Sequence, residues 1–200
     1  MPLRPLATTA VVLMTAVSAN AADLTSLPAG EYTLDKTHAY ITFSYNHLGF
    51  SKPHVGFDAF DATLTLDADD PEKSAVSVVI DATSVNSRVA TFDEHLNGDD
   101  FFATAGNPTI TFTSTEIEAT GDDTYDITGD LTIKGITQAV TLAATINKAA
   151  NHPMRRVPWI GMSASTTLLR SDWDLGRYAP NVGDEVSIDI EVEFAKADAD

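Results

Sequence analysis

Histidines are the residues of this chain best suited to hold a metal or to move a proton, and the sequence contains five of them. None stands in an H-x-H or H-E-x-x-H pattern, and the absence of cysteine removes thiolate ligands. His38 and His47 flank one alternating apolar segment, so we expect both to point inward and to be the first pair to test for a metal. Because a lone inward histidine is usually hydrogen-bonded within a core, we predict no metal site.

Signatures of covalent and phosphate chemistry are absent from the sequence. It contains no G-x-S-x-G elbow and no glycine-rich phosphate loop. Asp93 and Glu94 beside His95 could support acid–base catalysis, but on a polar helix face they are more simply solvated. We therefore predict that the protein is not an enzyme.

Arg170 is the cation whose position suggests a specific contact. It continues the alternation that runs through Leu168, so its guanidinium falls on the inner face near a strand end. A buried guanidinium needs an anionic or hydrogen-bonding partner. Two partners fit equally well, namely the polar group of a bound molecule at the rim, or an internal acid such as Asp172, Asp174 or Asp35.

The elements that must position these groups are β-strands, because apolar and polar residues alternate with period two along most of the chain. The clearest segment runs from Val186 to Phe194 and places acids and serine between its apolar residues. Glycine, proline, asparagine and aspartate separate the segments, as turns require. About eight antiparallel strands with polar outer faces predict a barrel or a two-sheet sandwich. The alternating segments are residues 39–47, 60–66, 76–80, 109–113, 131–133, 140–144 and 186–194.

Two stretches depart from the strand pattern. Residues 87–96 carry Val89, Phe92 and Leu96 at helical spacing, with Ser87 to cap the start and Gly98 to end it. Residues 47–56 hold two glycines and a proline and read as irregular. Both stretches could cover the mouth of a barrel or plug it.

The inner face is rich in aromatic residues and methionine. Barrels of about eight strands either fill their interior with side chains or hold one small ligand. An aromatic and methionine wall suits a flexible apolar guest, although the pattern alone favours a filled core. The residues concerned are Phe43, Tyr45, Phe60, Phe112 and Met162, with Phe92 and Trp159 as further candidates.

The first residues have the layout of a secretory signal peptide. Arg4 precedes an apolar run from Leu6 to Val17, and Ala19-Asn20-Ala21 forms an A-x-A cleavage site. This apolar run is shorter than the roughly 20 residues that span a bilayer, so we predict no stable membrane anchor. The expected organisation is a signal peptide over residues 1–21 and a single domain over residues 22–200.

Charge excludes several classes of partner. The chain carries 12 Lys and Arg against 29 Asp and Glu, a formal net charge of −17. Such a surface repels phosphates, so we predict no nucleic-acid binding and no docking on anionic lipid through a basic patch. Without cysteine there are no disulfides, and packing with sheet hydrogen bonds must hold the fold together.

Six motifs in order from about residue 30 to 197 resemble the YceI-like family of exported polyisoprenoid-binding proteins. Each is weak alone, and their order over nearly the whole predicted mature chain makes the resemblance specific. Two departures are Trp173, where the family usually has Phe, and Ala39, where Ser is usual. The motifs are Asp35–Phe43 with His47 and Gly49, Gly56–Leu64, His95-Leu96 with Asp100-Phe101-Phe102, Asn107–Phe112, Gly129–Thr137, and Arg170–Gly176.

This resemblance implies a lipocalin-like antiparallel barrel in the bacterial periplasm that holds an isoprenoid chain, such as a quinone or a polyprenyl phosphate. It implies no cofactor besides such a lipid, and a homodimer is possible because family members often pair. The alternatives are an enzyme acting on a lipid headgroup through His38 and His47, and an interaction module with a filled core.

From the inner-face pattern and the resemblance together we predict two sets of ligand-binding residues. The first would line the cavity for the tail, and it consists of Ile41, Phe43, Tyr45, Phe60, Leu64, Phe92, Phe112, Leu131, Ile133, Met162 and Trp173. The second would contact the polar headgroup, and it consists of His38, His47, Arg88 and Arg170.

Overall fold

The alternating segments form strands because β-branched and aromatic side chains pack well on a pleated surface. The computed structural model describes residues 22–197, so the predicted signal peptide lies outside the described residues. Eleven strands form one sheet. They are β1 (Gly30–Leu34), β2 (Tyr40–His47), β3 (His54–Phe57), β4 (Phe60–Leu66), β5 (Ala75–Asp81), β6 (Val85–Asn86), β7 (Thr109–Ala119), β8 (Thr124–Ile133), β9 (Ile136–Asn151), β10 (Pro158–Leu169) and β11 (Val182–Lys196).

Interruptions in three long strands reduce these segments to an eight-stranded barrel. β1 and β2 form one interrupted barrel strand, because both pair with β11. The next barrel strand consists of β4, which pairs with β1, and β3, which pairs with β2. The one after it consists of β5, which pairs with β4, and β6, which pairs with β3. The remaining neighbours follow in chain order, all antiparallel, and pairs from Tyr32↔Lys196 to Leu34↔Phe194 close the ring. The predicted antiparallel barrel is confirmed, and the sandwich alternative is wrong because the sheet has no split.

One α-helix interrupts the strands, as predicted. It is α1 (Ala90–Asn97), and it is preceded by Val89 and followed by Gly98, whose N–H donates to the carbonyl of His95. Ser87 does not cap the helix directly. Instead, its backbone N–H donates to Oδ1 of Asp93 at 2.6 Å, which ties the first turn to the preceding segment. Short 3₁₀ helices lie at Leu24–Ser26, Pro71–Lys73, Ala82–Ser84 and Arg170–Trp173.

The two ends of the barrel differ. We define the mouth end by the connections at residues 48–53, 87–108, 134–135 and 170–181, and the base end by residues 22–29, 67–74, 120–123 and 152–157. The stretch 47–56 is more regular than predicted, because β3 joins the barrel wall. No helix within residues 22–197 has the length and apolar character needed to cross a bilayer.

A closed core fills the base half. Leu24 and Leu27 from the leading segment pack against inward residues of the barrel, including the fully buried Tyr32 and Phe194. The hydroxyl of Tyr32 donates to the carbonyl of Pro28 at 2.8 Å, and the backbone N–H of Ala22 donates to Asp123 at 2.6 Å. The segment before β1 therefore seals the base.

The packing of β7 on β8 depends on a glycine. A Cβ atom at Gly129 would lie 2.5 Å from Cζ of Phe112 and 2.5 Å from the carbonyl oxygen of Thr113. Both distances are far below van der Waals contact, and the second partner is backbone. Phe112 thus rests directly against the main chain of β8.

Gly129→Ala should destabilise the fold by about 1–3 kcal/mol, the usual cost of overpacking, as measured by urea unfolding. Gly161→Ala is the matched control, because a Cβ at that strand position meets nothing within 4 Å. It should change stability by less than about 0.5 kcal/mol. Equal stability of the two variants would show that Phe112 does not rest on Gly129.

Candidate ligand-binding cavity

An apolar cavity of about 330 Å³ occupies the barrel interior between the sealed base and the mouth. Its wall comes from inward residues of nearly every strand, from α1 and from the 170–181 connection. Val192 and Phe194 lie towards its floor. Pockets of this size and character accept a largely buried apolar ligand.

The cavity explains the unusual exposure of several inward side chains. Phe43, Tyr45, Leu131, Leu142 and Ile188 share the inner face with buried neighbours, yet each remains partly exposed. Facing inward, they are accessible through the empty interior. These side chains are large enough to meet across a packed core, but here they border a void.

The mouth is framed by aromatic side chains. Among the wall residues the structure describes, His47, His95 and Tyr178 are the exposed ones, and all three lie at the mouth end. The His95 ring lies 4.9 Å from the ring of Phe101 and 6.5 Å from that of Tyr178. α1 therefore borders the opening with Phe92, His95 and Leu96 and does not plug the barrel.

Three phenylalanines pack together beneath this frame. The rings of Phe43, Phe57 and Phe102 lie 5.6–6.2 Å apart, mostly edge to face. Such arrangements stabilise aromatic clusters beyond the area they bury. The cluster joins the barrel wall to the loop after α1.

Arg170 is buried at the wall and donates to backbone carbonyls. Its Nε donates to Gly183 at 2.8 Å, Nη2 to Val182 at 3.0 Å and Nη1 to Leu175. Burial lowers the pKa of this guanidinium. The internal partner is therefore the main chain of the 170–183 segment, in place of the predicted acids Asp172, Asp174 or Asp35.

Comparison with known proteins identifies the family. The sequence-family model of the YceI-like domain matches residues 32–194 of this chain. The chain belongs to the YceI-like family. Protein YceI of Escherichia coli O17:K52:H18 is 38% identical over 172 residues, which is 84% of this chain and 88% of that protein.

Solved structures agree with this assignment. The crystal structure of Campylobacter jejuni YceI has a TM-score of 0.70 at 30% identity, covering 76% of this chain and 90% of that one. A polyisoprenoid binding domain from Saccharophagus degradans has a TM-score of 0.65 at 16% identity, covering 84% and 99%. This second likeness shows a shared fold.

In this YceI-like barrel, all the predicted tail-cavity residues except Leu64 lie on the cavity wall. Leu64 faces inward but is buried in the base core, because β4 carries it below the floor. The wall residues, whose contact with a ligand remains a prediction, are Ile41, Phe43, Tyr45, Phe60, Phe92, Phe112, Leu131, Ile133, Met162 and Trp173.

The predicted headgroup residues are not brought together. His47 and Arg170 reach the cavity wall, but His38 and Arg88 do not. His38 lies in the break between β1 and β2, outside the barrel, where the strand alternation no longer holds. Arg88 has a φ of +68° in the loop before α1 and lies off the wall.

Sequence reasoning missed several wall residues in the YceI-like fold. Phe101, Phe102 and Tyr178 lie in connections, where no periodicity reports which way a side chain points. The Asp100-Phe101-Phe102 motif was visible in the sequence, but it did not by itself indicate a place at the mouth.

Trp173 is buried and its indole N–H donates to the carbonyl of Leu131 at 3.3 Å.

His38 instead belongs to a polar cluster outside the cavity. Its Nδ1 lies 2.8 Å from Oδ2 of Asp35, and these two residues with Glu193 place ligand atoms within 4.8 Å of one another. Glu193 already accepts from the indole N–H of Trp159 at 2.6 Å, and Asp35 accepts from Thr37. Internal hydrogen bonds thus account for the cluster, and the absence of a metal site remains a prediction.

Replacing Arg170 with Met should lower the free energy of unfolding by about 2 kcal/mol or more, because three carbonyls lose charged donors. Urea unfolding measures the change. Arg177→Met is the control, since Arg177 is 55% exposed and lies 3.6 Å from Asp100. That variant should stay within about 0.5 kcal/mol of the natural protein. Unchanged stability of Arg170→Met with weakened lipid binding would instead assign Arg170 to the headgroup.

The Asp35–His38 pair should stabilise the fold most in mild acid. The hydrogen bond to Asp35 raises the pKa of His38. Burial opposes ionisation of Asp35, but hydrogen bonds from His38 and Thr37 outweigh it and hold the pKa of that carboxyl below its usual value. The His38 contribution is complete below about pH 6.5 and is lost as pH rises through the raised pKa, whereas the Asp35 contribution is lost only in strong acid.

The difference in melting temperature between the natural protein and His38→Gln should therefore be larger at pH 5 than at pH 8. Asp35→Asn provides the control background, in which the same His38 substitution should have a smaller pH-dependent effect, because only the charge of Glu193 then raises the pKa of His38. A difference that grows towards pH 8 would contradict the pairing.

Proposed function

We propose that this YceI-like barrel binds an isoprenoid-type amphipathic lipid, with the tail in the cavity and the headgroup at the mouth. It would hold that lipid for transport, storage or sequestration in the periplasm, without chemical turnover. The observation that carries the proposal is the apolar cavity of about 330 Å³, open between His47, His95 and Tyr178. A filled-core module would leave no such space.

The energetics of burial suit a hydrocarbon tail. Each CH₂ group removed from water contributes about 0.8 kcal/mol, so ten buried carbons provide roughly 8 kcal/mol before ordering costs. The branched, flexible chain of an isoprenoid can follow a wall of Phe, Leu, Ile and Met side chains. Affinity then arises inside the barrel and is compatible with an acidic exterior.

The polar groups at the mouth favour an uncharged headgroup. Arg170 is the one Lys or Arg among the described wall residues, and its donors are directed to backbone carbonyls. His47, His95 and Tyr178 can exchange hydrogen bonds with a quinone or hydroxyl group. A quinone-like lipid therefore fits better than a polyprenyl phosphate, which needs cations with free donors.

The proposed export and the lack of catalysis rest on separate grounds. The signal-peptide layout of residues 1–21 supports export to the periplasm. The two histidines that an enzyme would need are separated, since His47 lies at the mouth and His38 pairs with Asp35 outside the cavity.

Mass spectrometry of solvent extracts tests the proposal. Protein purified without detergent should yield a long-chain lipid with an uncharged headgroup. Ala164→Phe places a ring in the cavity and should abolish recovery, whereas Ser165→Phe, on the exposed outer face of the same strand, should not. Circular dichroism would confirm that both variants fold. Equal recovery from both variants, or none from the natural protein after reloading, would contradict it.

A further inference from the structure

We infer that the mouth end docks transiently on an uncharged or zwitterionic lipid bilayer through an exposed apolar rim. The rim consists of Leu48 (49% exposed), Phe50 (89%), Val89 (54%), Leu169 (48%) and Tyr178 (49%). This inference rests on the proposed function, because a bilayer is where an isoprenoid lipid resides. It adds the surface through which the lipid would enter and leave.

The rim surrounds the opening of the cavity. Leu48 and Phe50 lie in the turn after β2, Val89 precedes α1, Leu169 ends β10, and Tyr178 is itself a wall residue. His47, the last residue of β2 before the Leu48–Phe50 turn, pairs with Val182. The N–H of Val182 donates to the carbonyl of Tyr178 at 3.0 Å. The turn and the Tyr178 loop are therefore direct neighbours.

The Phe50 turn is built to present its side chain. The N–H of Phe50 donates to the carbonyl of His47 at 2.9 Å, and the N–H of Gly49 donates to Oδ1 of Asn46 at 2.7 Å. Gly49 has a φ of +76°, which glycine adopts without strain, and an added Cβ there meets nothing within 4 Å. A structured turn thus holds a phenyl ring out in water.

The distribution of exposed apolar groups is uneven. Of the eight large hydrophobic residues most exposed in the described chain, five form the rim, and the others are Tyr40, Val79 and Met154. Exposed large apolar side chains gathered at one end of a protein mark an interaction surface. Their position at the mouth of the apolar cavity assigns this surface to the membrane that would supply the lipid.

Local charge points to the kind of bilayer. The mouth-end connections carry five cations against six acids, a net charge of −1, while the whole chain carries −17. Arg170 is buried, and Asp184 and Glu185 at the start of β11 add two acids at this end. The mouth end is therefore mildly acidic and suits an uncharged or zwitterionic surface better than an anionic one. The cations are Lys52, Arg88, Lys134, Arg170 and Arg177, and the acids are Asp93, Glu94, Asp99, Asp100, Asp172 and Asp174.

Vesicle flotation tests docking independently of ligand loading. The natural protein should float with phosphatidylcholine vesicles, and Phe50→Ser should bind them about tenfold more weakly because an inserted ring is lost. Met154→Ser is the matched control, since Met154 is 83% exposed in the connection between β9 and β10 at the base end. It should bind as the natural protein does. Equal binding by both variants, or binding that requires phosphatidylglycerol, would overturn the inference.

A transfer assay separates this inference from the proposed function. Quinone with a long isoprenoid tail, held in phosphatidylcholine vesicles, should reach Phe50→Ser about tenfold more slowly than Met154→Ser, with the same final occupancy. Quinone uptake at equal rates would refute docking and leave lipid binding intact. Vesicle docking without quinone uptake would refute the proposed function alone. A natural protein that elutes as a dimer, and becomes monomeric in Phe50→Ser, would show that the rim is a subunit interface and overturn the docking role.

Discussion

The structure depends on a constraint of barrel closure, which is that eight strands enclose an interior that side chains can only just fill. In the base half, the leading segment adds Leu24 and Leu27 to the inward residues, and the interior is solid. In the mouth half, the loop after α1 and the 170–181 connection add Phe102 and Trp173 to the wall, and inward residues such as Phe43, Leu131 and Ile188 border empty space. The cavity therefore exists because the leading segment fills the base of the barrel, whereas the connections at the mouth end contribute to the wall and leave the interior open.

Polar side chains maintain this difference between the ends. Arg170 holds the 170–183 segment by its carbonyls, and this segment carries Trp173 and Tyr178 to the cavity wall. At the base, the carboxylate of Asp123 and the hydroxyl of Tyr32 hold the leading segment in place. No disulfide contributes to this difference, because the sequence has no cysteine.

Strand periodicity explains which features could be predicted. Alternation is a local property, so it correctly placed Ile41, Phe112 and Met162 on the inner face and predicted the barrel. It could not tell how far along the axis a residue lies, which is why Leu64 was expected in the cavity although it belongs to the floor. It also fails at interruptions. Between β1 and β2 the alternation is lost, and His38 turns to Asp35 outside the barrel.

Whether the void holds a ligand is decided most directly by a crystal structure of the protein purified without detergent. The account predicts continuous elongated density that begins between His47 and Tyr178 and ends near Phe194. A refined structure in which Phe43, Leu131 and Ile188 move together and close the interior, with no density between them, would contradict it.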